Sequence, residues 1–517
     1  PKHLITGASL YDVYRPGFEE ETIETFKNQG LAQKANDPVI IGYFFGNELD
    51  YHQFKHIVPA KKASESATKK VLVDFLEKKY QNIQLFNAAW QTSYTTFGDL
   101  YETLVPLITE KAADDMLDFF EIYLDQFYKI VARAFRKLDA NHLLLGDRYF
   151  TPIMNDEQLR EKICRVAGKY LDVISYNYYT YDVDLERIGA MYEISGKPIM
   201  LTEYHYGDPT QGQTSSIQMM DNEAQKGHAY RNYVETLAAS GVVVGAHWFE
   251  YLDQAVTGRW FQGYNGEGFG IGFLNVADRP YKDFLASVMK TNYFIYDLIL
   301  GNKKPYHYDF GPGKSARNLT NSITIFKTSQ PIRIDGEMDS YWPSGKSIHL
   351  TDKERVTGMQ QENSSAAINL AYDENYLYVY AYITDNNPMT NGFTGENVWN
   401  GDGIEIFAGA DSGEQGGALK VGDRQLVLAG SPGGQANYYW FNGMQQQPDI
   451  EMQVKMKDNK QGYVIEAAIP LQAMNITKVF KDRKIRFDIG FNNGDGRQRN
   501  TQYMWNGTES NSATRDN

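Results

Sequence analysis

Glu48 and Glu203 are the residues around which a chemistry can be built. Hydrolysis of a glycosidic bond takes two carboxyl groups, one to protonate the leaving oxygen and one to attack the sugar or activate water. Each glutamate directly follows a strongly apolar run, G-Y-F-F-G-N-E for Glu48 and P-I-M-L-T-E for Glu203. In a β/α-barrel the working residues stand at the C-terminal ends of strands. Asn47 precedes Glu48, so its amide could bond a sugar 2-hydroxyl while the next residue reaches the glycosidic oxygen. Tyr204, His205 and Tyr206 follow Glu203 and could orient or stack on a ring. An arbitrary glutamate is usually a solvated loop carboxylate. What reverses that reading here is the combination: two strand ends, one after Asn and one before aromatics.

The elements that must position this pair are strands alternating with long amphipathic segments over residues 1–301, the pattern of βα units around a parallel sheet. The spacing predicts strands at Val39 to Phe45, His142 to Asp147, Asp172 to Asn177, Pro198 to Glu203 and Val242 to Trp248. Their continuous apolar runs suit strands buried on both faces. Apolar residues recur every three or four positions in A-D-D-M-L-D-F-F-E-I-Y-L-D-Q-F-Y-K-I-V-A-R-A-F, which predicts a long helix. Residues 17–33 also read as helical. The stretch T-G-R-W-F-Q-G-Y-N-G-E-G-F-G-I-G-F follows no strand-to-helix turn, so it reads as a loop over the barrel mouth and not as a phosphate cradle. After Gly301 periodicity disappears, and residues 302–327 read as a linker. Short alternating strands separated by Gly, Asn and Asp then predict a β-sandwich over residues 328–517.

Composition agrees with two or three domains, since 517 residues exceed what one core organises. A net charge of −14 argues against nucleic acid or an anionic membrane as partner, and no apolar run reaches the length of a membrane span. The single cysteine, Cys164, excludes an intrachain disulfide and a cysteine-built metal site. The chain opens Pro-Lys-His without a methionine or a signal peptide, which reads as a processed or cut start, so export is not legible there.

Y-D-V-Y-R-P-G-F, D-P-V-I-I-G-Y-F-F-G-N-E-L, N-A-A-W-Q-T-S-Y, L-L-L-G-D-R-Y, D-V-I-S-Y-N-Y-Y, K-P-I-M-L-T-E-Y-H-Y-G and G-A-H-W-F-E-Y-L-D-Q together cover most of residues 10–300. In that order they resemble glycoside hydrolase family 50, the β-agarases of clan A, with the family 42 β-galactosidases more distant. The resemblance implies an α/β fold with a (β/α)8 TIM-type barrel, the five predicted strands being numbers four to eight. It implies Glu48 as acid/base and Glu203 as nucleophile of a retaining hydrolase of β-galactosidic bonds in an agarose-like galactan. It further implies sugar contacts from Asn47, Trp90, Arg148, Asn177, Tyr178, His205, Trp248, Glu250, Asp253 and Gln254. Glu250 stands where the family pattern leads one to expect Gln, which adds a carboxylate near the cleft. Any one of these could instead be a core aromatic or a paired charge.

I-R-I-D-G-E-M-D-S-Y-W, L-A-Y-D-E-N-Y-L-Y-V-Y-A-Y-I-T-D and N-G-D-G-I-E-I-F resemble carbohydrate-binding module family 9. The resemblance makes Trp399, Trp440 and Trp505 candidate stacking rings. No cofactor is implied, and the Asp and Asn clusters lack EF-hand spacing, so no metal is expected. The alternatives are a β-galactosidase, a hydrolase of another galactan such as porphyran, and a non-catalytic glycan-binding protein. A polysaccharide substrate implies a secreted, periplasmic or cell-surface protein. Three βα units of roughly 30 residues each do not fit into the 38 residues before Val39. The expectation is therefore a barrel whose strands one to three lie outside this sequence.

Overall fold

Five short apolar segments and one long amphipathic one organise the N-terminal part of a computed structural model. It describes residues 3–5, 10–214, 216–259, 267–310, 321–358, 361–409, 419–441, 447–476 and 483–507. Strands β1 (Gly42–Asn47), β2 (Leu143–Phe150), β3 (Ile174–Asn177), β4 (Ile199–Tyr204) and β5 (Val243–Trp248) form one sheet in sequential order. Tyr43 lies beside Leu144, Tyr149 beside Tyr176, and Ile174 beside Ile199, all in parallel register. All five predicted strands are present. Strand β1 starts three residues later than expected because pairing begins at Gly42 against Leu143. Val39 and Ile41, ahead of it, are 86% and 73% exposed. Among the described residues the sheet has five strands, with β1 and β5 outermost, and it does not close into a barrel.

Among the described residues, the helices of eight or more residues are α1 (Phe18–Asn28), α2 (Ala67–Tyr80), α3 (Ile83–Trp90), α4 (Glu110–Leu138), α5 (Glu157–Tyr170), α6 (Leu185–Ser195), α7 (Glu223–Ala238) and α8 (Lys282–Tyr293). Thr109 caps α4 by accepting from the Ala112 N–H at 3.0 Å. The helix buries Met116, Phe119, Phe120, Tyr123, Phe127, Val131, Ala134 and Phe135, a stripe at the helical period. Against that stripe pack Tyr43 and Phe45 of β1, with Tyr43 6.0 Å from Phe135 and Phe45 5.4 Å from Tyr128. Phe44, between them, points to the opposite face of the strand and stays exposed. Strand β1 therefore has a helix-covered face and an exposed one.

The chain divides into two units: Pro1–Tyr178, Asp184–Tyr204 and Ser240–His247 in one, and Tyr179–Val183, His205–Ala239 and Trp248–Asn517 in the other. Among the described residues the second holds twelve further strands: β6 (Phe326–Lys327), β7 (Ile348–Leu350), β8 (Arg355–Gly358), β9 (Ser365–Tyr372), β10 (Tyr376–Thr384), β11 (Gly403–Gly409), β12 (Arg424–Gly430), β13 (Ala436–Trp440), β14 (Glu451–Met456), β15 (Tyr463–Pro470), β16 (Arg486–Gly494) and β17 (Arg499–Met504). One sheet runs β8-β17-β16-β11-β12-β13, and the other β14-β15-β10-β9-β6 with β7 also on β9. Alternation decides what lies between them. Leu377, Val379, Ala381 and Ile383 of β10 meet Ile404, Ile406 and Ala408 of β11 in one core, while Glu405 and Phe407 lie outside it. In the D-G turn of I-R-I-D-G-E, the Glu466 carboxylate accepts the N–H groups of Asp335 and Gly336 at 2.9 and 2.7 Å. Gly336 has φ +80°, a conformation that favours glycine. The predicted linker lies partly outside the described residues, and so does the glycine-rich loop.

Candidate active site

Glu48 leaves the end of β1 with φ +53°, a left-handed backbone that is uncommon for a residue with a Cβ. Its N–H donates to the Arg148 carbonyl at 2.9 Å, and Asn47 pairs with Arg148 in register. Both Asn47 and Glu48 are exposed. Three strands away, Glu203 near the end of β4 is half-buried, and the Arg148 guanidinium donates to its Oε1 and, at 3.2 Å, to the Thr202 carbonyl. The same guanidinium lies 5.6 Å over the Phe44 ring. Arg148 therefore acts first on Glu203, fixing one of its oxygens by a charge-assisted bond, and is not a free sugar contact.

Asn177, at the end of β3, joins the two glutamates' strands. Its Nδ2 donates to Glu48 Oε1 at 2.9 Å and to Asn47 Oδ1 at 3.3 Å, while its Oδ1 accepts from the Thr202 hydroxyl at 2.7 Å. Its carbonyl accepts from Thr151 Oγ1 at 2.9 Å, and the next N–H, of Tyr178, donates to the Glu203 carbonyl at 2.9 Å. The residue is fully buried. The side-chain amide of Asn177 is thus engaged by Glu48, Asn47 and Thr202 of this chain.

Several expected sugar contacts are corrected by burial. Trp90 is 0% exposed at the end of α3, and its indole N–H donates to Asp115 of α4 at 2.8 Å. An apolar helix face placed it in a core. Tyr178 is buried and stacked 4.6 Å from Tyr176, so its face is already covered. In the second unit, His205 is buried. Its Nδ1 lies 3.1 Å from the Phe249 carbonyl, its Nε2 has no hydrogen-bond partner among the described residues, and desolvation pushes its pKa down to about 3. It is a neutral ring packed 4.8 Å from Tyr179. Trp248 is half-buried; its indole donates to the Ile271 carbonyl at 2.7 Å, and its ring packs on Phe284 and Phe273. Asp253 accepts from the Gly272 N–H and the Tyr281 hydroxyl at 2.7 and 2.5 Å. Gln254 donates to Glu267 and accepts from the Phe269 N–H, both at 3.0 Å. These two side chains brace the segment that follows β5. Glu250 is half-buried in that segment, and its neighbour Tyr251 is 64% exposed. No sequence signal singled out Tyr251, although an exposed aromatic beside a carboxylate is what a sugar platform needs.

In the sandwich only one of the three tryptophans presents a face. Trp440 is 1% exposed, sits in the inter-sheet core and donates to the Pro448 carbonyl at 3.1 Å. Trp505 is half-buried against the same core. Trp399 is 36% exposed, with the Arg499 guanidinium 4.8 Å over its ring. On the same sheet the carboxylate of Glu405 accepts from the amides of Gln425, Asn492 and Gln502 at 2.8 to 3.1 Å. Spacing alone missed this polar group, because its members come from four strands. Among the described residues no group of three or more His, Cys, Asp or Glu could hold a metal ion, and no helix is long and apolar enough to cross a membrane.

Residues 334–515 match the family model described as carbohydrate family 9 binding domain-like. β-Agarase B of Vibrio sp. (strain JT0107) is 25% identical over 301 residues, 56% of this chain and 31% of that protein. The solved structure of an exo-β-agarase is 26% identical with TM-score 0.52, covering 58% of this chain and 41% of its own. That of an agarase, AgWH50C, is 26% identical with TM-score 0.51, covering 56% and 42%. The chain resembles family 50 β-agarases and carries a family 9-like domain. It spans under a third of the length of the curated agarases it matches. Glu48, Asn177, Arg148 and Glu203 lie in the part of the chain with a mixed α/β fold and a parallel sheet.

Proposed function

We propose that this chain belongs to a retaining glycoside hydrolase that cleaves β-galactosidic bonds in an agarose-like galactan. Glu203 is the nucleophile and Glu48 the acid/base. The observation that carries this reading is the bridge through Asn177, which donates to the Glu48 carboxylate and accepts from Thr202 next to Glu203. One carboxylate bonded to a buried amide, which is itself fixed to the residue before the other glutamate, suits a reaction in which each must hold a fixed orientation to a single bond. Arg148 holds Glu203 from the other side. Glu203 attacks the anomeric carbon as Glu48 protonates the leaving oxygen; Glu48 then takes a proton from the water that releases the sugar. The similarity to proteins named β-agarase supports the galactan.

The five parallel strands belong to an eight-stranded barrel, with three more strands flanking the outer edges of β1 and β5. Exposed Val244 on β5, and exposed Val39 and Ile41 just ahead of β1, favour this closure. Residues 1–301 are the catalytic region, 302–327 the linker and 328–517 a glycan-binding module that uses Trp399, and the protein works outside the cytoplasm, where polysaccharide lies. Incubation with agarose, porphyran and a chromogenic β-galactoside, with sizing of the products, tests the substrate. Agarose oligosaccharides are expected. Activity confined to simple galactosides or to porphyran would replace the substrate, and no hydrolysis of any of the three would leave a glycan-binding protein.

A further inference from the structure

One buried carboxyl lies directly behind the proposed acid/base. Asp147 is 1% exposed, precedes Arg148 in β2, and stands opposite Gly46, two residues before Glu48. Its Oδ2 accepts from the Tyr51 hydroxyl and, at 3.2 Å, from that of Tyr128. Tyr128 in turn is 2.6 Å from the Tyr149 hydroxyl and 3.4 Å from that of Tyr51. Tyr51 lies three residues past Glu48, Tyr128 comes from α4 and Tyr149 from β2. The cluster therefore grips the chain on both sides of Glu48 and fastens it to the helix layer. Asp147 Oδ1 has no hydrogen-bond partner among the described residues and lies 2.1 Å from where a Cβ on Gly46 would stand. Glycine at 46 is what lets the carboxyl sit there, at a point where the β1–β2 register shifts.

We propose that Asp147, through Tyr51, Tyr128 and Tyr149, is a positioning residue that holds the Glu48 backbone in its left-handed turn against the Arg148 carbonyl. This rests on the reading of Glu48 and Glu203 as the working pair. A carboxyl kept only for stability would affect the whole unit evenly. A positioning carboxyl acts on one hydrogen bond, from the Glu48 N–H to Arg148, and on kcat.

Two readouts on the full chain test it: hydrogen exchange at the Glu48 amide, which needs no activity, and kcat with KM on agarose oligosaccharides. Asp147→Ala should speed exchange at Glu48 by about tenfold or more and lower kcat by about 10–100-fold with KM within about threefold. Asp147→Asn keeps an acceptor for the phenols and should return both readouts to within about threefold of the parent. Gly46→Ala should mimic Asp147→Ala, and the Gly46→Ala/Asp147→Ala double variant should be less impaired than Gly46→Ala alone, because the added methyl then has room. Should Asp147→Ala fail to fold, Tyr51→Phe carries the same test with a smaller, severalfold effect. Exchange at Glu48 unmoved in every variant, or kcat loss matched by an equal rise in KM, would overturn the proposal. A wild-type chain inactive on every galactan would refute the functional reading, while exchange at Glu48 would still decide the positioning role.

Discussion

Replacing Asn177 by alanine should harm proton transfer more than folding. The side chain gives one hydrogen bond to a carboxylate, Glu48 Oε1 at 2.9 Å, and takes one from Thr202 Oγ1 at 2.7 Å, in a fully buried position. A hydrogen bond to a charged group contributes about 1.5–3 kcal/mol. If that bond orients Glu48 for protonation, its loss lowers kcat by about 10–150-fold. The orphaned Thr202 hydroxyl costs about 1–3 kcal/mol of stability, a melting shift of a few degrees. The assay compares an agarose oligosaccharide with an aryl β-galactoside whose leaving group needs no protonation. Asn177→Ala should lose most of its rate on the first and much less on the second. Equal losses on both substrates, or a loss confined to KM, would refute the assigned role of the amide.

Other outcomes follow from buried charge and buried rings. Desolvation pushes Asp147 up to about 6, against about 3.9 in an unfolded chain, so the protonated carboxyl favours the fold below about pH 4 and that contribution fades as the pH rises through 6. Asp147→Asn, neutral throughout, should gain up to about 3 kcal/mol on the parent between pH 4 and 7; a melting difference that does not vary with pH contradicts this. Lys226 is 0% exposed in its side chain, 3.3 Å from Asp208 and 3.2 Å from the carbonyls of Gly270 and Gly272. Lys226→Met leaves Asp208 buried without its cation and should cost about 3–5 kcal/mol in chemical denaturation, with Asp208→Asn in the same chain recovering part of the loss. In the sandwich, Trp399→Ala should abolish calorimetric binding of galactan fragments with little change in melting, whereas Trp440→Ala should cost about 3–5 kcal/mol of stability; the reverse pattern would put the binding face elsewhere.

Strand positions and the long helix were legible because periodicity reports burial directly. Phe119, Tyr123 and Phe127 fall on one stripe whatever surrounds them. The two glutamates were legible because strand ends can be read from apolar runs. What could not be read was which polar and aromatic side chains are spent internally. Asn177 and Arg148 occupy motif positions, yet each meets a carboxylate of this chain, a contact set by strands far apart in sequence. Trp90 and Tyr178 look like platforms in one dimension and are covered by Asp115 and Tyr176 in three. Asp147 stands in the L-L-L-G-D-R-Y segment but no role for it could be read there, because its partners Tyr51 and Tyr128 come from distant parts of the chain.

If Glu203 is the nucleophile, it forms a covalent bond to the sugar. An activated 2-deoxy-2-fluoro-β-galactoside should trap that intermediate, since the fluorine slows its hydrolysis, and peptide mapping then locates the sugar. The expected result is one added sugar on the peptide containing Glu203, still formed by Glu48→Gln and absent from Glu203→Gln. A label on another residue, or no label together with a product of inverted anomeric configuration, would contradict the account.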